Sequence, residues 1–322
     1  MSHPLSRPAP HVSIVIPAKN ESARIGRAIA RTFARVRSSC EVIVVVDSQD
    51  DPTWHEVRAM AASEPRLRGL VGGYGPGPAN AIRYGIDQAR AEIAVVTMAD
   101  SSDDPRQIDE LAALVSDGAC VAVASRYAKG GGQMGGPLTK SLLSRLAGRS
   151  LALLARVGTS DATNSYKAYS TAFIREVGID SRDGFTVGIE LIAKARRLRR
   201  KVAEVPTVWL DRDERDSGFR LFAWMPAYLR WYVFCYGRRL TTEQLAARRA
   251  RHWQRAETAA QDARAPHQQE AGADVPGGCV TAVQADQAGP GPAPLVPAKA
   301  QPTDWAAWHV IHAGASRSRG AA

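Results

Sequence analysis

Short apolar runs recur along the first half of this chain, and each stops at a polar turn followed by a helical pattern. The runs at 12–16, 42–46, 93–97 and 120–125 are rich in Val, Ile and Ala, with hardly a polar position among them. A strand that is apolar on both faces must be covered on both faces, the situation of a central strand in an α/β sheet. A further short strand is expected at 67–71. Between the runs, the segments at about 22–36, 54–63 and 105–116 have the length and period of helices. In the second half of GGYGPGPANAIRYGIDQA, Ala81, Ile82, Ile86 and Ala89 share one side of another. The alternation predicts an α/β fold, a doubly wound and mostly parallel sheet with helices on both faces. Ser22, Asp51 and Asp104 stand where a side chain caps the helix that follows.

Two of the runs end directly in acidic turns, EVIVVVDSQDDPT at 41–53 and EIAVVTMADSSDDP at 92–105. Ligands of open α/β sheets collect outside the carboxyl ends of the strands. Carboxylates placed there suit a divalent cation and a nucleotide, which points to an enzyme handling a nucleoside diphosphate. The loop GGYGPGPANAIRYG offers backbone amides at a helix start. It lacks the G-x-G-x-x-G spacing and does not open from the first strand, so no nicotinamide cofactor is expected.

The second half continues with a helix at about 138–155, a loop and strand in DATNSYKAYSTAFI, a helix in GFTVGIELIAKARRLRR and a strand in KVAEVPTVWL. Residues 1–10 read as a flexible lead, 11–240 as one catalytic domain, and 241–322 as a low-complexity tail. In that tail a helix at 241–264 is expected to be exposed, with disorder from about Pro266. The formal charge of +10, mostly arginine, calls for an anionic partner: nucleotide phosphates, anionic lipid or nucleic acid. Cys40, Cys120, Cys235 and Cys279 lie far apart with no CxxC pair, as reduced thiols of a cytoplasmic protein do. MSHPLSRPAPH lacks the pattern of a signal peptide, and the run at 12–16 is far short of the about 20 apolar residues that cross a bilayer. KARRLRRK and LFAWMPAYLRWYVFCYGRRL mix basic and aromatic residues; 222–239 suits a lipid headgroup surface, core packing or, least well, RNA.

Taken in order, IPAKNES, VVVDSQDDPT, VVTMADSSDDP, ASRYAKGG, DATNSYKAYS, GFTVGIELIAKA and VPTVWLDRDERDSGFRL resemble the family-two glycosyltransferases over roughly residues 12–239. The branch most similar is that of the dolichyl- and polyprenyl-phosphate mannosyl- and glucosyltransferases. The resemblance implies a GT-A fold and transfer of a hexose from a nucleoside-diphosphate sugar to an acceptor such as polyprenyl phosphate, metal-assisted and inverting. It implies nucleotide contacts at Pro17, Lys19, Glu21, Asp47 and Ala99. Mg²⁺ or Mn²⁺ is implied at Asp100, with Asp103 as a second or water-mediated ligand. The first Asp of the family's DxD-type element is replaced by Met98 here. Arg126 and Arg212 are implied beside the leaving diphosphate, where guanidinium forks pair with phosphate oxygens. A lysine frequent in relatives is missing at Ser217–Gly218, and Arg220 is the residue placed to replace it.

Bland readings stand beside these. Arg212 has Asp211 and Asp213 as surface partners, and Lys167 is either a contact for an acceptor phosphate or a snorkelling strand lysine. Glu190 is either a general base or a structural anchor, because a lipid phosphate is already ionised and needs no base. Two other functions remain open. A sugar nucleotidyltransferase would release pyrophosphate and carry a glycine-rich basic loop after strand one, where this chain has IPAKNES. A basic membrane or nucleic-acid adaptor would bind polyanions and no nucleotide sugar.

Overall fold

The computed structural model describes residues 9–135, 138–210 and 221–262. Two compact units divide the chain, one holding every described residue through Thr242 and the other those from Glu243 onward. Seven strands form the main sheet of the first unit: β1 Val12–Pro17, β2 Cys40–Val46, β3 Leu67–Val71, β4 Ile93–Val96, β5 Val121–Ser125, β7 Lys167–Ser170 and β8 Val202–Pro206. Their order is β3-β2-β1-β4-β7-β5-β8. Every pairing is parallel except those of β7, which runs antiparallel to β4 and β5. Two further strands, β6 Gly132–Met134 and β9 Val208–Leu210, pair with each other in parallel.

All residues of β1, β2, β4 and β5 are buried, as strands with no polar alternation must be. One face of the sheet is covered by α1 Ser22–Arg35, α2 Pro52–Ala61 and α4 Gln107–Ser116. Ile25, Ile29, Val57, Ile108 and Leu111 pack there on Ile14, Val44 and Val95. Each such side chain contributes about 1.5–3 kcal/mol relative to exposure. On the other face Ala81 of α3 Pro78–Asp87 meets Ile43 and Val45. Gly85 lets this helix lie directly on β1, since a Cβ there would overlap the Val15 side chain.

The described remainder comprises α5 Leu138–Ser150, extended by a π-helical turn Leu151–Ala155, then α6 Thr171–Val177, α7 Val187–Arg197 and α8 Leu221–Cys235. α9 occupies Thr242–Asp262, all but its first residue in the second unit; a helix was expected at 241–264. Cys40, Cys120 and Cys235 are buried free thiols. Among the described residues, no helix is long and apolar enough to cross a membrane.

Three local expectations need correction. Ser22 is the first helical residue of α1 and caps nothing; Glu21 precedes it without a side-chain cap bond. Asp104 accepts from the Arg106 backbone N–H at 3.1 Å and so shapes the turn before α4, which begins at Gln107. DATNSYKAYSTAFI yields the strand β7 and then α6, whose first turn is capped by Ser170 accepting from Phe173 N–H. Asp51 does cap α2, accepting from Thr53 N–H at 2.8 Å. The expected disorder beyond Pro266 lies outside the described residues.

Candidate active site

The chain crosses from β1 to β2 and β3 on one side, then returns through α3 to β4 on the other side of β1. The carboxyl ends of β1 and β4 therefore flank a topological switch point, the crevice where open α/β sheets bind ligands. Pro17 closes β1 there. The next turn is held in a costly shape, with Asn20 in the left-handed region at φ 55°. Both oxygens of the buried Asp51 accept from Asn20 N–H, at 3.1 and 3.0 Å, and Thr53 Oγ1 accepts from Glu21 N–H at 2.8 Å. The first acidic turn thus clamps IPAKNES from beside it and fixes the buried Glu21.

Asp47, past the end of β2, accepts from Gly77 N–H at 3.1 Å and lies 3.7 Å from the Lys19 ammonium. Gly77 reaches it with φ 115°, a conformation that a side chain would resist. The glycine loop is thereby tied to the same edge as Lys19 and Asp47.

After β4 come Met98 and Ala99, both buried, and then the partly exposed Asp100. Asp100 accepts from Ser102 N–H at 2.9 Å across Ser101, another left-handed residue at φ 62°. Arg31 of α1 donates to the Ser101 carbonyl at 3.1 Å, which braces this turn from the helix layer. Asp103 folds back beneath, accepting from Thr97 Oγ1 at 2.8 Å and Met98 N–H at 3.3 Å. Burial, and then the charge of Asp100, pushes the Asp103 carboxyl up to about 7. The Asp100 charge beside the raised Asp103 carboxyl, with both side chains hard oxygen donors, fits a divalent cation such as Mg²⁺ or Mn²⁺. Among the described residues no cluster of three or more acidic, His or Cys ligands exists, so phosphates and water would complete any coordination shell.

Arg126 follows β5 and is buried. Its Nε and Nη2 form a fork on Asp161 at 2.7 and 2.9 Å, and its backbone N–H donates to the same carboxylate at 3.0 Å. Burial would lower the guanidinium's proton affinity, but the Asp161 charge more than offsets this and holds it above its ordinary value. Nη1 donates no hydrogen bond among the described residues. The loop carrying Asp161 is itself held by Glu204 of β8, which accepts from Thr159 Oγ1 and Ser160 N–H, each at 2.8 Å.

Because β7 runs antiparallel, its first residue falls at this edge: Lys167 pairs with Val96 of β4 and Val123 of β5. Its ammonium is wholly buried and has no hydrogen-bond partner among the described residues. Burial drags its pKa down to about 7 against the pull of Asp161. Asp161 was not foreseen as a site residue. Its signal was present, since it is the sole acid between Asp117 and Glu176 in a stretch that carries eight lysines and arginines.

Glu190, on α7, is taken up by a buried network of its own. Its oxygens accept from Asp180 N–H at 2.6 Å and Ser181 N–H at 2.8 Å, and Lys194 lies 2.6 Å away. Lys194 also donates to Asp180 and to the Gly178 carbonyl, both at 2.8 Å. This buried network fastens the segment before α7, and it gives Glu190 the surroundings of an anchor. Arg212 and Arg220 lie outside the described residues. The switch point thus gathers Pro17, Lys19, Glu21, Asp47, Ala99, Asp100, Asp103 and Arg126, with Asp161 and Lys167 added.

The chain is 27% identical over 210 residues to a dolichol-phosphate mannosyltransferase of Pyrococcus furiosus, a match covering 64% of this chain and 58% of that protein. It is 25% identical over 216 residues to an undecaprenyl-phosphate mannosyltransferase of Micrococcus luteus, covering 64% and 86%. A polyprenol monophosphomannose synthase of Mycolicibacterium smegmatis matches at 27% over 216 residues, covering 64% and 80%. In fold, the chain is similar to a glucosyl-3-phosphoglycerate synthase of Mycobacterium tuberculosis solved with Mn²⁺ and UDP. The TM-score is 0.53 at 18% identity, over 72% of this chain and 82% of that one. The family model described as glycosyl transferase family 2 matches residues 13–178, a span that takes in both acidic turns, Arg126, Asp161 and Lys167. With its sheet in the GT-A arrangement and its charged groups at the switch point, the chain belongs to glycosyl transferase family 2 and is a glycosyltransferase.

Proposed function

We propose that this enzyme moves a hexose from a nucleoside-diphosphate sugar to polyprenyl phosphate, with inversion at the anomeric carbon. The observation that carries the reading is the pairing of opposites at one sheet edge, with Asp100 and Asp103 past β4 and Arg126 past β5. Pro17, Lys19, Glu21, Asp47 and Ala99 would line the nucleoside, with ribose and base donors facing the carboxylates. Asp100, with Asp103, would hold Mg²⁺ or Mn²⁺. When bound, that ion supplies positive charge against the donor's diphosphate. Arg126, its fork fixed by Asp161, directs Nη1 toward the oxygens on which charge grows as the nucleoside diphosphate departs. Arg212 and Arg220 are proposed for the same anion. The acceptor phosphate carries its own negative charge and attacks in line without a base, which leaves Glu190 as an anchor. The three curated relatives, named for dolichol, undecaprenyl and polyprenol phosphates, support this acceptor. The reaction would run at the cytoplasmic side of a membrane, with residues 222–239 at the headgroups.

Radiolabelled sugar transfer to polyprenyl phosphate tests the assignment. Release of nucleoside diphosphate and loss of transfer in Asp100→Ala are expected. Pyrophosphate release, or equal activity of variant and wild type, would reject the reaction or the metal role respectively. A thermal-shift panel of GDP- and UDP-sugars with Mn²⁺ would identify the donor.

A further inference from the structure

Two helices far apart in sequence expose apolar side chains beside each other, and neither carries an acidic residue. Along α5 and its π-helical extension, Leu142 and Leu146 are more than half exposed, and Leu153 and Leu154 are 74% and 73% exposed. On α8 the exposed positions Pro226, Leu229, Arg230, Val233 and Tyr236 follow helical spacing. The two stripes are joined where Ser150 Oγ and Tyr232 Oη lie 2.6 Å apart and Tyr232 packs on Tyr236. Beneath this junction α8 is secured to α7: Trp231 is buried, donates to Ser181 Oγ at 3.0 Å and lies 5.6 Å from the Lys194 ammonium. The outer stripe is therefore surplus to the packing of α8.

Residues 138–156 contain Lys140, Arg145, Arg149 and Arg156, residues 221–240 contain Arg230, Arg238 and Arg239, and neither segment has an Asp or Glu. Of these, Arg145, Arg149, Arg156, Arg230, Arg238 and Arg239 are exposed. Leucines fringed by arginines without a single acid have the chemistry of an anionic bilayer surface. The leucines enter the acyl boundary while the long basic side chains reach back to lipid phosphates. A second copy of the chain fits poorly, because a two-fold interface would set this arginine fringe against itself.

We infer that the α5–π-turn–α8 face docks the enzyme on an anionic membrane, with the leucines of α5 and its π-helical turn as the main inserting element. This extends the contact beyond residues 222–239 to a helix that lacks aromatic residues, and it rests on the lipid-phosphate reading above. Within the π-helical turn Leu151–Ala155, the consecutive Leu153 and Leu154 are both exposed while Leu151 and Ala155 are buried.

Flotation of the full chain with phosphatidylcholine vesicles, with and without about one third phosphatidylglycerol, tests it. Wild type should float with anionic vesicles and lose binding as salt rises. Leu153→Ser/Leu154→Ser and Arg145→Glu/Arg149→Glu should each weaken that binding by about tenfold or more. Both should keep the wild-type melting temperature and transfer to a short, detergent-free polyprenyl phosphate. Unchanged flotation of both folded variants would overturn the proposal, as would wild-type flotation indifferent to anionic lipid. Failure to float combined with a concentration-dependent dimer abolished by the leucine variant would assign the face to a second copy instead. Loss of transfer to the short acceptor by wild type would sink the catalytic reading and leave the vesicle result standing.

Discussion

Replacing Lys167 by Met should stabilise this protein at neutral pH, and the size of the effect follows from where the ammonium sits. Lys167 is wholly buried between β4 and β5, without a hydrogen-bond partner among the described residues, and its pKa is brought down to about 7 from the ordinary 10.5. Between those two values the unfolded lysine keeps its proton while the folded one has released it. The unfolded state then binds more protons, so stability rises with pH across the window. Lowering it from 10.5 to about 7 corresponds to a cost of about 4 kcal/mol at pH 7, of which roughly 2 kcal/mol is regained by pH 9. Met keeps the unbranched stem and nearly the same volume, and has nothing to titrate. Urea denaturation followed by tryptophan fluorescence at pH 7, 8 and 9 would give both slopes. The wild type should gain stability over the variant as pH rises, and the variant should be the more stable at pH 7. Asp103, whose carboxyl is raised to about 7, acts oppositely: the folded state binds the extra proton, so its contribution falls up to about pH 7 and is then spent. It is present in both proteins and largely cancels in the difference. A variant less stable at pH 7, with the wild-type slope intact, would show that the ammonium is charged and paired and would refute the reasoning.

Arg126→Lys should lower kcat/KM for transfer by about a hundredfold, because a single ammonium cannot keep the fork on Asp161 and also face the diphosphate; steady-state kinetics would show it. Asp51→Ala should cost about 2–4 kcal/mol, from the lost cap on α2 and the stranded Asn20 N–H, and should raise KM for the donor. Glu190→Gln should cost about 3 kcal/mol or more by breaking a buried pair with Lys194. The folded fraction of that variant should turn over at the wild-type rate, whereas a flat melting temperature with lost kcat would restore Glu190 as a base.

The donor half was readable because its central strands are almost wholly apolar and its acids sit directly after them. β3 falls at residues 67–71 as expected, and β2 begins two residues before the expected Val42. What escaped was whatever depends on partners distant in sequence. β7 carries the polar KAYS pattern of no obvious core strand, and its antiparallel insertion between β4 and β5 is set by register with both. Asp161 reads as a loop acid until Arg126, from another strand, is brought against it. Ser22 misled because a hydroxyl beside a helix start looks like a cap. Here the chain is already helical at Ser22, and the Arg24 and Ile25 N–H groups donate to the Glu21 carbonyl, both at 2.8 Å.

The reversed strand has a consequence for how such an enzyme can change over evolutionary time. Chain leaving the sheet after Arg126 comes back to it at Lys167, next door and at the same rim, so everything between is an excursion with both feet planted side by side. Apart from Asp161, which holds the Arg126 fork, length or sequence could be exchanged within that excursion while the nucleotide half keeps every strand in register. New acceptors, or new surfaces on which to meet them, can be tried there without rebuilding the machinery that grips the donor.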